Sequence, residues 1–155
     1  MRKTAVRLKC FAVLATTAAV FGLGVQAASA SVPSKQRAEW ISVDGTFGKA
    51  DHTWTSALST MSNKTPVSKL SKACLAFVPA VNTFDTALKK IGFTGKTGTD
   101  IASLIKVNNK LVPILSHIKS IGSFESQFSA LESQYMGLQA ALSKDLGIEE
   151  AEIQV

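Results

Sequence analysis

Between Thr65 and Phe93 the apolar residues Val67, Leu70, Cys74, Phe77, Val81, Phe84, Leu88 and Ile91 recur at alternating steps of three and four. That spacing lays all eight along one stripe of an α-helix, close to a heptad seam. Thr65 reads as the N-cap and Pro66 as the first helical residue, where a missing N–H costs nothing. Gly92 stands just past the last turn, with Phe93 placed to fold back on it. Pro79 removes one hydrogen bond from the middle of this helix, at about 3 kcal/mol. It lies off the stripe, so the spacing predicts a helix over 66–91 that bows outward and keeps its seam. A stripe of this length requires other helices to cover it.

Three further segments carry the same period. Over 35–62 the stripe is Trp40, Val43, Phe47, Ala50, Trp54, Ala57 and Met61, broadened by Ile41 and Leu58. Gly45 and Gly48 each cost about 1 kcal/mol inside a helix, which predicts a break near Asp44–Gly48. Over 100–121 the stripe is Ile101, Leu104, Asn108, Leu111, Leu115 and Ile118, with Ile105 and Val112 beside it and Thr99 or Asp100 as cap. Asn108 falls on the seam, where one buried amide commonly fixes register. Pro113 repeats the phase of Pro79. Gly122 reads as the stop, and Ser123 as the cap of a fourth helix over 123–146. Its stripe is Phe124, Phe128, Leu131, Tyr135, Leu138 and Leu142. Gly147 ends it, and residues 148–155 form an acidic tail. The glycine-rich 94–99 reads as a flexible connection. Four amphipathic segments with short links predict an all-α fold, an antiparallel up-down-up-down four-helix bundle.

The first thirty residues are of another kind. Arg2, Lys3, Arg7 and Lys9 precede a mostly apolar run of sixteen residues from Cys10 to Val25, and Ala28-Ser29-Ala30 has the small-x-small form of a cleavage site. The run is short for a span of roughly 20 residues. The pattern is that of a secretory signal peptide over 1–30, and it predicts a secreted, extracellular protein whose mature chain starts at Ser31 and keeps no membrane segment. The leader holds four of the 17 basic residues and none of the 11 acidic ones. The remainder has a net charge of +2, so the basic isoelectric point belongs to the targeting segment and gives no support to nucleic-acid binding. One cysteine, Cys74, remains after cleavage, which leaves no internal disulfide and makes the core the support of the fold.

Candidate chemistry is sparse. Gly95-Lys96-Thr97 lacks the upstream glycine and the preceding strand of a phosphate loop. His52 and His117 have no second ligand three or four residues away and fall off their stripes, so no helical metal pair exists. Cys74 sits on its stripe with no base near it in sequence, the setting of an inert buried thiol. The serines lie on polar faces, no G-x-S-x-G turn occurs, and no pairing of carboxylates across a cleft is evident. These observations predict a protein that is not an enzyme and uses no cofactor. The sharpest hint of binding is Trp40, Phe47 and Trp54 on the glycine-weakened first helix, a candidate groove for a protein partner or an apolar molecule at or outside the cell envelope. The alternative is an extracellular carrier of haem or metal on His52 or His117, with Met61, Cys74, Tyr135 or Met136 as further ligands.

Residues 81–151 carry a resemblance in VNTFDTALKKIGF, DIASLIKVNNKL, SFESQF and LSKDLGIEEA. The chain resembles the uncharacterised small exported α-helical proteins of actinobacteria, with Thr94 in place of the proline usual after Phe93 and no proline in the closing phrase. The resemblance implies export and a helical fold, and carries no activity.

Overall fold

The computed structural model describes residues 32–148, all-helical with four helices and no strand among them. The expected signal peptide over 1–30 and all of the expected acidic tail but Ile148 lie outside the described residues. The helices are α1 (Ser34–Ser59), α2 (Val67–Ile91), α3 (Gly95–Ser116) and α4 (Ile121–Leu146). No helix among the described residues is long and apolar enough to cross a membrane. Their backbones approach most closely in sequence order, α1 on α2, α2 on α3 and α3 on α4. One core runs through all four.

α2 is the helix its stripe predicts. Leu70, Cys74, Phe77, Val81, Phe84 and Leu88 are buried, and Val67 and Ile91 are half-buried at its ends. Pro79 is exposed and the helix continues through it. With Pro79 on the solvent side the apolar seam stays buried, and burial of each large side chain contributes about 1.5–3 kcal/mol against the proline's cost. Gly92 ends the helix in the left-handed region, at φ 70°. The start moves by one residue: Pro66 takes the N-cap position and Val67 is the first helical residue. Thr65 uses its hydroxyl elsewhere, accepting from the Ser62 amide at 2.9 Å to close the preceding turn.

Three expectations are corrected. α1 is continuous from Ser34 to Ser59, with no break near Asp44–Gly48. Packing of Trp40, Phe47 and Trp54 across the glycine stretch outweighs a penalty of about 1 kcal/mol per glycine. The 94–99 stretch is the start of α3 rather than a flexible link. Thr94 is its extended N-cap, the Gly98 amide donates to the Thr94 carbonyl at 3.1 Å, and Thr97 is buried. Gly98 is needed for closeness, since a Cβ there would meet the Phe93 carbonyl oxygen at 2.6 Å. At the other end α3 stops at Ser116, and Ser120 caps α4 in place of Ser123. The Ser120 hydroxyl accepts from the Ser123 amide at 3.2 Å, which brings Gly122 inside the first turn of α4.

Long-range polar contacts tie helix ends together. Gln36, near the start of α1, donates from Nε2 to the carbonyls of Ile91 and Gly92 at 3.2 and 3.1 Å. Lys96, in the first turn of α3, bridges Asp100 at 2.8 Å and Asp145 of α4 at 2.6 Å. Gly147 closes α4 with φ 62°, and the Ile148 amide reaches back to the Ser143 carbonyl at 2.8 Å.

Candidate functional site

The site is built by the way α1 is turned. Trp40, Phe47 and Trp54 are buried as one row. On either side of that row the helix offers two flanks, Val43, Ala50 and Ala57 on one and Asp44, Asp51 and Leu58 on the other. The apolar pattern favours the first flank for the core. The second flank is the one buried: Asp44, Asp51 and Leu58 face inward, Val43 and Ala50 are half-buried, and Ala57 is exposed. α4 shows the same substitution once, with Gln139 buried and Leu138 half-buried.

The aromatic row is packed rather than open. Trp40 meets Phe84 and Phe93 edge-on, with ring centroids 6.1 and 6.3 Å apart. Phe47 stacks on Phe84 at 4.3 Å, and Trp54 stacks on Phe77 at 4.5 Å while touching Phe128 of α4 edge-on. Each such pair is worth about 0.5–1.5 kcal/mol beyond its buried area. The structure therefore brings the three candidate groove residues together, in the core.

Next to this row lies a polar interior. Asp51 and Asp44 are 2% and 6% exposed, and both carboxylate oxygens of Asp51 and Oδ1 of Asp44 lack a protein hydrogen-bond partner. Burial raises Asp51 to about 7 and Asp44 to about 6, with Gln139 beside Asp44 pulling the other way. On α2, Asp85 is raised by burial, opposed by Asn108 and more weakly by Lys89. Asn108, fully buried on α3, donates from Nδ2 to Asp85 Oδ1 at 2.6 Å. The amide expected to fix register is the donor that holds a buried carboxyl. On α4, Gln139 donates to the Tyr135 hydroxyl at 2.8 Å, and burial together with the three aspartates pushes the phenol well above its usual range. Asp51 shares a cavity with Glu132, Tyr135, Phe47, Phe77 and Leu111, whose free volume of about 10 Å³ is on the order of one water.

On the opposite side of Phe47 the unburied flank of α1 meets α2 in an open groove of about 340 Å³. Val43, Ala50, Pro79 and Ala80 form its walls, and Phe47 and Phe84 form its floor. Three hydroxyl side chains, Ser42, Thr46 and Thr83, edge it. Thr46 is turned back on the Ser42 carbonyl at 2.9 Å, which removes its donor from the groove. Phe47 lines both the groove and the Asp51 cavity and so stands between the two spaces.

The remaining candidates stand apart. His52 and His117 are exposed, and His117 Nδ1 lies 3.2 Å from the Pro113 carbonyl. No group of three or more His, Cys, Asp or Glu placed to hold a metal ion occurs among the described residues. Cys74 is free and buried, its thiol pushed up to about 12 by desolvation. The residues that the apolar pattern misses are Asp44, Asp51, Asp85 and Gln139. The signal for two of them was present, because Trp40, Asp44, Phe47, Asp51, Trp54 and Leu58 also step by four and three. Comparison with protein-family models, with curated proteins and with solved structures finds no match to this chain.

Proposed function

We propose that this protein is an exported, non-enzymatic four-helix bundle that binds an apolar ligand alongside α1. The observation that carries the reading is the groove between α1 and α2, walled by Val43, Ala50, Pro79 and Ala80 over two phenyl rings. Its volume of about 340 Å³ lies at the lower end of the range for small-molecule sites, and an apolar lining with a few hydroxyls is their usual make-up. A chain-like or single-ring apolar molecule fits it. Phe47 is the floor residue, with Trp40 and Trp54 holding the same helix from behind. The up-down-up-down antiparallel arrangement belongs to this reading and is supported by Gln36 reaching Ile91 and by Lys96 reaching Asp145. Export is supported by the basic, apolar and Ala-Ser-Ala segments of 1–30 and by the resemblance to exported actinobacterial helical proteins.

The test is native mass spectrometry of protein recovered from culture medium. We expect a chain beginning at Ser31 with a small apolar mass attached. A dansyl-labelled alkyl probe should compete for the site and accept energy from the tryptophans. Ala80→Phe, which fills the groove, should abolish both signals with the helix content unchanged. A ligand-free chain that also ignores the probe would overturn the binding reading, and a partner protein retained in place of a small molecule would redirect it.

A further inference from the structure

The α1/α4 seam differs from the other three faces of the bundle core. Its backbones stay further apart than those of the sequential pairs, and Asp51 of α1 shares a cavity there with Glu132 and Tyr135 of α4. From α1 come Asp44 and Asp51; from α4 come Glu132, Tyr135 and Gln139. Across from them α2 contributes Asp85, with Lys89 acting on it from the same helix, and α3 contributes Asn108, Val107 and Leu111. None of the residues lining the Asp51 cavity is basic. Five oxygens around the seam lack a protein partner: two of Asp51 and one each of Asp44, Glu132 and Asn108. A buried carboxylate without a cation is expensive, and the group normally neutralises by taking a proton instead.

We infer that the α1/α4 seam is a proton-operated latch, closed while Asp44 and Asp51 are protonated and loosened when they ionise. Closed, each carboxyl gains an O–H donor and loses its charge, so α1 can seat its polar flank against Tyr135, Glu132 and Gln139. Ionised, Asp51 is stripped of water in a cavity with room for about one water, beside Glu132 and Tyr135, and Asp44 is buried with Gln139 as its polar neighbour and Oδ1 unpartnered. The least costly relief is for α1 to move off α4 and admit solvent. It keeps its contact with α2, where Phe47 and Trp54 stack on Phe84 and Phe77. The sign follows from linkage. Both groups bind their protons more tightly in the folded state than in the unfolded one, from about 3.8 up to about 6 and about 7. Stability is therefore full below about pH 4 with respect to these groups, and falls progressively as pH rises to about 7. This inference is independent of whether the α1/α2 groove holds a ligand.

Both tryptophans of the chain, Trp40 and Trp54, lie on α1, so their fluorescence reports the seating of that helix alone. Acrylamide quenching and far-UV circular dichroism of the purified protein, measured from pH 4.5 to pH 8.5, read the latch and the helix content separately. We expect quenching to rise at least twofold between pH 5 and pH 8 with helix content retained. Asp44→Asn/Asp51→Asn, which keeps the shape of the protonated side chains and cannot ionise, should make quenching independent of pH and raise the Tm at pH 8 by several degrees over wild type. Flat quenching in the wild type overturns the latch. So does a loss of helix content in step with the rise, which would mean general unfolding. A double variant that retains the wild-type pH profile, or that lowers the Tm equally at pH 5 and pH 8, would show that these carboxyls serve packing only.

Discussion

α1 and α2 are nearly equal in length, 26 and 25 residues, and lie against each other. Their buried faces are made of different materials. α2 buries six apolar side chains and one carboxyl, and that carboxyl is met by Asn108 at 2.6 Å. α1 buries four apolar side chains, a threonine and two carboxyls, and three of the four carboxylate oxygens have no protein partner. The same interior thus accepts an acid in two ways: held by a dedicated donor on α2, or left to find a proton on α1. The first gives a fixed support, and the second gives an element whose seating depends on conditions. Low local stability is the usual property of parts that move in binding.

The sharpest way to break this comparison is to place a charge on each helix. Val81 is fully buried at the centre of α2, whereas Val43 lines the outer groove. Val81→Asp puts an unpaired acid in the fully buried seam, one turn from the buried Asp85, and should cost several kcal/mol, enough to unfold a domain of ordinary stability. Val43→Asp, at a position that the apolar pattern assigns to the core, should cost about 1 kcal/mol or less, because its side chain can turn to water. Urea denaturation followed at 222 nm distinguishes them. Equal losses at the two sites would mean that α1 is turned the other way from the structure described above.

Of intermediate size is the effect of removing the donor. Asn108→Leu keeps the volume of the seam and leaves Asp85 without its hydrogen bond, which should cost about 1–3 kcal/mol near neutral pH. Burial already raises Asp85, and without the amide it should rise further. The loss should therefore shrink on acidification, as the carboxyl takes up a proton, and grow above neutrality. Denaturation midpoints at pH 4.5 and pH 8 measure this. A loss independent of pH would assign Asn108 to packing rather than to holding Asp85, and would bring α2 closer to α1.

The contrast between the two helices also marks how far the sequence can be read. The four helices and most of the α2 and α3 seams follow from the three-four spacing of apolar residues, because burying those side chains is the largest favourable term available. The orientation of α1 does not follow from it. Trp40, Phe47 and Trp54 recur every seven residues and serve either flank equally, so these large rings leave the turn of the helix undetermined. Val43 and Ala50 are small and gain little from burial, while Leu58 gains more than Ala57. The final choice rests on what α4 presents opposite, a phenol, a carboxyl and an amide, and this cross-helix complement is invisible to a pattern read one helix at a time. The start of α3 was hidden for another reason: Gly95 and Gly98 suggest a loop, yet Gly98 is there to let the backbone close on the Phe93 carbonyl.

The smallest expected effect isolates the backbone contribution to the looseness of α1. Gly45 lies in the middle of the helix, is half-buried, and a Cβ built there meets nothing within 4 Å. Gly45→Ala therefore removes unfolded-chain entropy without a clash and should stabilise by about 0.5–1 kcal/mol. Gly98→Ala has the same intrinsic gain but drives a methyl to 2.6 Å from the Phe93 oxygen, and should destabilise by about 1–3 kcal/mol. The pair serves as its own control, since helix propensity alone would stabilise both. In the wild type, amides from Asp44 to Trp54 should exchange faster than those from Leu70 to Leu88. If glycine is the main cause, Gly45→Ala should bring the two rates close together at every pH. If the unpartnered carboxyls are the main cause, Gly45→Ala should slow α1 only slightly, and a clear gap from α2 should persist at pH 8 and narrow at pH 5. Exchange in α1 as slow as in α2 at both pH values, before any substitution, would remove the distinction between the two helices.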